Sequence, residues 1–176
     1  MLSKFVQIDQ RIALYLKTHR FSNKTNRCLK LYVRLGDGYI WAVFAALLLY
    51  KLGWEHFLTA LWQILISLAV SLALYWTTKL STKRQRPFIF FTDIEAEVPP
   101  LDKYSFPSGH TMNNLAVAST IFYLQPSIGW FMLILPITWG LLRVYFGVHW
   151  FFDIVIGALL GVLSFFIAHF IWSLFL

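Results

Sequence analysis

Three unbroken apolar runs constrain this chain more than anything else in it. Residues 57–80, FLTALWQILISLAVSLALYWTTKL, carry no charge before Lys79. Residues 127–142, SIGWFMLILPITWGLL, carry none, and residues 151–176, FFDIVIGALLGVLSFFIAHFIWSLFL, carry only Asp153. Each approaches the ~20 apolar residues that cross a bilayer as a helix. Two shorter runs, 38–52 and 111–124, span only with help from flanking residues or a locally thinned bilayer. The chain is 59% hydrophobic and 13% charged over 176 residues, and a soluble domain of that length has no need of so little charge. The expected fold is all-α: a polytopic membrane helical bundle of five to six transmembrane helices with an amphipathic N-terminal helix.

The net charge of +7 has a local origin, because eight of the fifteen Lys and Arg lie in the first 37 residues. Basic flanks of a membrane protein anchor to anionic headgroups, so no nucleic-acid partner is implied. Within residues 3–18, Phe5, Ile8, Ile12 and Leu16 recur near helical spacing among Lys4, Asp9, Gln10, Arg11 and Lys17. This reads as an amphipathic helix in the membrane interface, or as a short helix packed on the bundle. Residues 19–37 read as a polar, basic stretch ending in the turn Gly36-Asp37-Gly38. No cleavable signal is apparent, and the single Cys28 excludes an internal disulfide. Residues 1–176 are expected to form one integral-membrane domain, with 1–37 as its basic amphipathic N-terminal region and 79–107 as the loop long enough to carry a site. Alternating spans put that loop on the same side as the turn at 143–150. Three polar clusters should therefore meet.

In the first cluster, KLSTKRQRP, Lys79 and Arg86 are seven residues apart, so a continuing helix sets both on one face. Pro87 argues for a helix end there. Two cations suit an anion with several oxygens; alternatively they anchor to the membrane surface, as Lys83 and Arg84 are expected to do. In the second cluster, FPSGH, Ser108 can cap the following helix and Gly109 lets a ligand approach the backbone. Free N–H groups at a helix start favour phosphate, with His110 beside it. In the third, RVYFGVHWFFD, His149 and Asp153 are four apart on one helix face. A carboxylate there accepts the Nδ1–H and leaves Nε2 free as a nucleophile. Asp153 also sits in an apolar run, where it needs a partner. Arg143 adds a third cation. Singly, each cluster also fits a structural role; together they place three cations, two histidines and one acid on one side of a small bundle.

Lys79 with Arg86-Pro87, then Pro107-Ser108-Gly109-His110, then Arg143 with His149 and Asp153 resemble the three-part signature of the type 2 phosphatidic acid phosphatase superfamily, in its membrane-bound branch. The resemblance spans residues 79–153 and preserves the order of the parts. One position departs: Leu142 stands where the family usually has Ser before the Arg, which removes a supporting hydrogen bond to phosphate. The resemblance implies a lipid phosphatase acting through a phosphohistidine. His149 is then the nucleophile, Asp153 its orienting acid, and His110 the group that protonates the leaving oxygen and later activates water. Lys79, Arg86 and Arg143, with backbone N–H groups near Ser108 and Gly109, hold the phosphate. Three cations supply the charge that phosphoryl transfer needs, and no carboxylate cluster suggests a two-metal site, so neither metal nor cofactor is expected. The acids at 93–102 read as a solvated loop face or a specificity element.

The implied partners are membrane lipids and a lipid phosphate or diphosphate substrate: undecaprenyl diphosphate, phosphatidylglycerol phosphate, phosphatidic acid or the 1-phosphate of lipid A. A lipid phosphotransferase on the same fold and a non-catalytic membrane scaffold or transporter are the rival readings. The resemblance implies a bacterial inner membrane with the site facing the periplasm or exterior, whereas the Lys and Arg count favours the cytoplasmic side. His19 and His56 have no comparable company. His169 reads as a packed or hydrogen-bonded core residue and the tryptophans as interfacial belts or packing, while Asn113 and Asn114 can reach the headgroup or a neighbouring helix, with helix–helix hydrogen bonding expected of at least one.

Overall fold

The computed structural model describes residues 2–175, and among them every regular element is helical. The order is α1 (Leu2–Thr18), α2 (Asn23–Arg34), a 3₁₀ turn (Leu35–Asp37), α3 (Tyr39–Thr82), α4 (Pro87–Phe90), α5 (Gly109–Leu124), α6 (Pro126–Tyr145) and α7 (Phe151–Ser173). Three helical stretches are long and apolar enough to cross a membrane: 39–90, 126–145 and 151–173. Leu176, the last residue of the third apolar run, lies outside the described residues.

The first of these stretches is not one rod. Gly53 takes φ 72 and ψ 169, a conformation open to a residue without Cβ, and splits α3 into legs 39–52 and 54–82. The indole of Trp41 donates to Asn114 Oδ1 at 2.6 Å, and Ser71 Oγ donates to the neighbouring Asn113 Oδ1 at 2.8 Å. A straight helix would hold Trp41 and Ser71 about 45 Å apart. The legs therefore fold back at Gly53, as expected from two separate apolar runs. Both asparagines bond across helices, where the sequence leads one to expect it of at least one.

α5 is the hub, touching α3, α6 and α7. Nearly every side of it is buried, from His110 to Ile121. That explains how a short, weakly apolar run can sit at the centre: it meets protein rather than lipid. The outward faces carry Trp62, Phe131, Ile134, Leu159, Phe166 and Phe170, all well exposed, as a bilayer-facing shell requires. At the end of α5 away from His110, the His169 ring stacks on Phe165 and packs on Tyr123, and its Nδ1 has no hydrogen-bond partner.

The N-terminal region differs from its sequence reading. Residues 19–37 contain a second helix, α2, capped by Ser22, whose Oγ accepts from Thr25 N at 3.3 Å. α1 is amphipathic but docked: Ala13 joins Ile94 and Trp150 in a buried cluster, and Asp9 is 1% exposed, while Phe5, Val6, Ile8, Leu14 and Tyr15 stay exposed. Val33 of α2 packs with Val98, Tyr145, Phe146 and Val148. Lys17 pairs with Asp93, and both Arg20 and Lys30 pair with Glu97. The basic N-terminus and the acidic 93–97 segment thus form one cap over the polar end of the bundle. Asp93 and Glu95 stay exposed, as a solvated face requires, while Glu97 and Asp102 are drawn partly inside by their cations.

Candidate active site

Lys79 is the last buried residue of α3 and is fully buried. The helix does not continue to Arg86 as expected. It ends at Thr82, where Lys83 turns left-handed at φ 47 and returns its N–H to Lys79 O. Arg86 lies beyond, extended at φ −79 and ψ 155, the geometry that the following Pro87 imposes. The two cations still meet, on a third residue. Lys79 Nζ donates to Asp102 Oδ1 at 2.7 Å and Arg86 Nη2 to the same oxygen at 2.9 Å. Tyr104 N donates to it at 3.1 Å, and the Tyr75 hydroxyl donates to Oδ2. Burial pushes the Asp102 carboxyl up. The hydrogen bonds from Lys79 and Tyr75, with the charges of Lys79 and Arg86, outweigh it and hold the group below the ordinary carboxylate range.

α5 brings in His110. Its N-terminus behaves differently from the sequence expectation. Ser108 occupies the N-cap position, yet its side chain makes no capping bond; Oγ accepts from Thr111 Oγ1 at 3.3 Å. The Ser108 N–H is spent on Asp153 O at 3.1 Å and is not free for an anion. A Cβ on Gly109 would stand 2.8 Å from the Tyr75 ring, so the glycine admits that ring. His110 Nε2 lies 2.5 Å from Asp37 Oδ1 and 3.1 Å from Arg143 Nη1. Arg143, in the last turn of α6, also donates to Pro99 O at 3.4 Å, and its buried Nε has no partner. Leu142 packs beside the Val148 and Phe146 cluster, an apolar contact in place of the family's serine.

His149 and Asp153 do not share a helix face. His149 precedes the N-cap Trp150, and Asp153 is the third residue of α7. The carboxylate reaches back to cap its own helix, Oδ2 accepting Trp150 N at 2.9 Å, while Oδ1 takes Arg84 Nη1 at 2.6 Å. His149 Nδ1 lies 3.5 Å from Oδ2, a contact longer than a hydrogen bond. On the other side of the ring, Nε2 is 3.4 Å from Arg86 Nη1, whose guanidinium also donates to Val148 O at 2.8 Å. Burial first, then the charges of Arg86, Arg143 and Lys79, hold His149 well below the ordinary imidazole range. The imidazole is neutral near pH 7, with its Nε2 lone pair available.

Arg84 is not the membrane anchor that its place in a basic run suggests. Instead it bridges two buried acids, Asp153 and, through Nη2 at 2.6 Å, Asp9 of α1. Asp9 Oδ1 also accepts Phe152 N at 3.0 Å.

His149, His110, Arg86, Arg143 and Gly109 line one cavity of about 510 Å³. It continues between α3 and α5 along Ile64, Leu68, Leu72, Trp76 and Val117, an apolar groove leading from the polar end toward the bilayer-facing shell. Lys79, Ser108 and Asp153 stand behind this lining rather than in it, Lys79 behind Asp102. Asp37 and Asp102 do line it; Asp37 is no sequence candidate, and Asp102 is one only within the acids at 93–102, as a solvated face or specificity element. The one signal for Asp37 is an acid between two glycines just before an apolar run. Among the described residues, no group of three or more His, Cys, Asp or Glu side chains could hold a metal ion.

Known proteins resemble this chain in sequence and in fold. The chain is 32% identical over 130 residues to an undecaprenyl-diphosphatase of Sulfolobus acidocaldarius, covering 73% of this chain and 61% of that protein. It is 28% identical over 123 residues to the bacitracin transport permease protein BcrC of Bacillus licheniformis, again covering 61% of that protein. The match thus spans about three fifths of these curated relatives. In three dimensions it superposes on LpxE of Aquifex aeolicus with a TM-score of 0.73 at 21% identity, covering 90% of this chain and 92% of that one. It superposes equally on a transmembrane PAP2-type phosphatidylglycerolphosphate phosphatase of Bacillus subtilis, with a TM-score of 0.73 at 22% identity over 95% of this chain and 85% of that one. With its apolar helices and these neighbours, the chain is an integral membrane protein. Residues 60–175 match the family model that spans all three polar clusters, and the chain belongs to the PAP2 superfamily.

Proposed function

We propose that this protein is an integral-membrane lipid phosphatase that removes a phosphate from a lipid phosphate or diphosphate through a phosphohistidine on His149. The observation that carries this reading is the single cavity that joins an imidazole, two guanidinium groups and a second imidazole to an apolar groove. In phosphoryl transfer, catalysis is mostly positioning and neutralisation of the equatorial oxygens. Arg86 and Arg143 face that charge, and Lys79 reaches it when Asp102 yields its place. His149 Nε2 forms the N–P bond as the bond to the leaving oxygen breaks, and His110 gives that oxygen its proton. Water then attacks phosphorus, losing a proton to His110 as the N–P bond breaks. Asp153, fixed by Arg84 and Trp150 N–H, stabilises the charge that His149 carries between the two steps. The lipid tail lies along Leu68, Leu72 and Trp76.

In this reading residues 1–176 act as one domain with five crossings: the two legs of α3, then α5, α6 and α7. The catalytic end faces the periplasm or exterior of the inner membrane. The basic N-terminus is weaker counter-testimony than its charge suggests, because Lys17, Arg20 and Lys30 are paired to Asp93 and Glu97. Labelling exposed Lys103 with an impermeant amine reagent in intact cells tests the orientation, and protection of Lys103 until the cells are opened reverses it.

The chemical test is a trap. Protein in detergent is mixed with lipid phosphates and diphosphates labelled at the terminal phosphorus and quenched in alkali, where phosphohistidine survives. Wild type retains label on His149, and His149→Ala loses both label and turnover, the latter by about 10⁴-fold or more. Turnover at the wild-type rate in His149→Ala refutes the covalent route.

A further inference from the structure

Asp37 belongs to neither the family-matched segment nor any of the three sequence clusters, yet it makes the shortest contact to His110 that the structure contains, at 2.5 Å. Its turn is built to hold it there. A Cβ on Gly36 would stand 2.7 Å from the Trp139 ring and 3.3 Å from His110 Cδ2, so only a glycine lets the turn press this close to the helix. Gly36 O accepts from Asn114 Nδ2 at 3.1 Å, and the same amide group also bonds His110 O at 2.7 Å. The other end of that side chain is held by the Trp41 indole. Asn114 thus ties the turn to the backbone that carries His110. The Asp37 side chain is 30% exposed, and it lines the cavity.

The charges around His110 make this contact consequential. Arg143 of α6 lies 3.1 Å from Nε2, and Arg86, His149, Asp102 and Tyr75 face it across the cavity. α5 itself adds no second titratable group beside it. Burial and two guanidinium groups oppose a proton on this imidazole, and a carboxylate at hydrogen-bond distance favours one. Asp102 is committed to Lys79 and Arg86, and Asp153 to Arg84 and Trp150 N–H. Asp37 is the acid in contact with His110.

We propose that Asp37 is a positioning residue that holds the proton on His110 Nε2 until the leaving oxygen takes it, fitting the site to poor, alkoxide leaving groups. This rests on the reading of His110 as general acid. In the step, His149 Nε2 bonds to phosphorus, the bond from phosphorus to the lipid oxygen breaks, and the proton shared by His110 and Asp37 goes to that oxygen. The imidazole left behind is neutral and takes the proton of the attacking water next. The later arrival of that proton restores the pair.

The test compares kcat/KM, which reports the steps through leaving-group departure, on two substrates across pH. Phosphatidic acid releases an alkoxide and needs a general acid; 4-nitrophenyl phosphate releases a stable phenolate and does not. In the full chain in detergent, Asp37→Asn is expected to lose about 10²-fold on phosphatidic acid, at least tenfold more than on 4-nitrophenyl phosphate. Its basic limb on phosphatidic acid moves toward acid pH, and Asp37→Glu recovers part of both effects. Equal losses on the two substrates with an unmoved limb overturn the proposal and leave Asp37 a structural tie. The parent reading fails separately, by a His149→Ala protein that still turns over or by a wild type that traps no phosphohistidine.

Discussion

The two imidazoles of the cavity each have a carboxylate, and the two pairs are built oppositely. At His149 the acid is fully buried and 3.5 Å away on the far nitrogen, with both oxygens already engaged by Arg84 and Trp150 N–H. At His110 the acid is partly exposed and 2.5 Å away, on the nitrogen that meets Arg143. The first arrangement fixes a neutral ring and leaves its outer lone pair free. The second sets a partly exposed carboxylate against the nitrogen proposed to hand over its proton. One fold can run nucleophilic and acid–base chemistry on the same residue type when neighbours set the protonation state.

The sharpest way to break the comparison is at Asp153. Asp153→Asn keeps the size and can still accept Trp150 N–H, but it removes the charge that balances a phosphorylated His149. Turnover is expected to fall by about 10³-fold, read as kcat on a saturating lipid phosphate. A loss below tenfold would make Asp153 a helix cap and nothing more. Arg84 is next. Arg84→Ala releases both Asp153 and Asp9, and a small misplacement of a catalytic group costs up to about 10²-fold. Asp9→Asn, one contact further out, is expected to cost less, on the order of tenfold. If Arg84 only touches headgroups, both variants keep the wild-type kcat, and this sets the bridge apart from a surface anchor.

These residues also mark where sequence reading stopped. The apolar runs gave the helical bundle, because lipid and core both demand unbroken greasy helices. The three motifs gave five residues of the cavity lining, because their spacing is local. Arg84 and Asp9 were not legible, being 75 positions apart with ordinary surface spacing around each. Asp102 pairs with Lys79 and Arg86 across a segment whose prolines and acids look solvated until Val98 and Ile94 are seen packing beneath it. The continuous helix expected from Lys79 to Arg86 was wrong for a local reason: the turn at Lys83 and the extended residue before Pro87 replace it. The docking of α1 is one of two readings the sequence leaves open, because an amphipathic helix looks the same against a membrane as against protein.

The smallest effect concerns His149 in the absence of substrate. Its folded value lies below the ordinary imidazole value of about 6.5, so the folded ring stays neutral as pH falls through that range. In ¹⁵N-histidine spectra recorded in detergent from pH 7 to pH 5, with His149→Gln to assign the signal, its two nitrogens should keep neutral-imidazole shifts. The linkage runs one way. Below about pH 6.5 the unfolded chain takes up a proton that folded His149 refuses, so the unfolded state gains and stability declines with acid. Wild type should therefore lose slightly more melting temperature between pH 7 and pH 5 than His149→Gln does. A His149 signal titrating near the ordinary value, with equal acid losses in both proteins, would mean that the ring is neither buried nor reached by the cations of this site. The contrast between the two histidines would then rest on Asp37 alone.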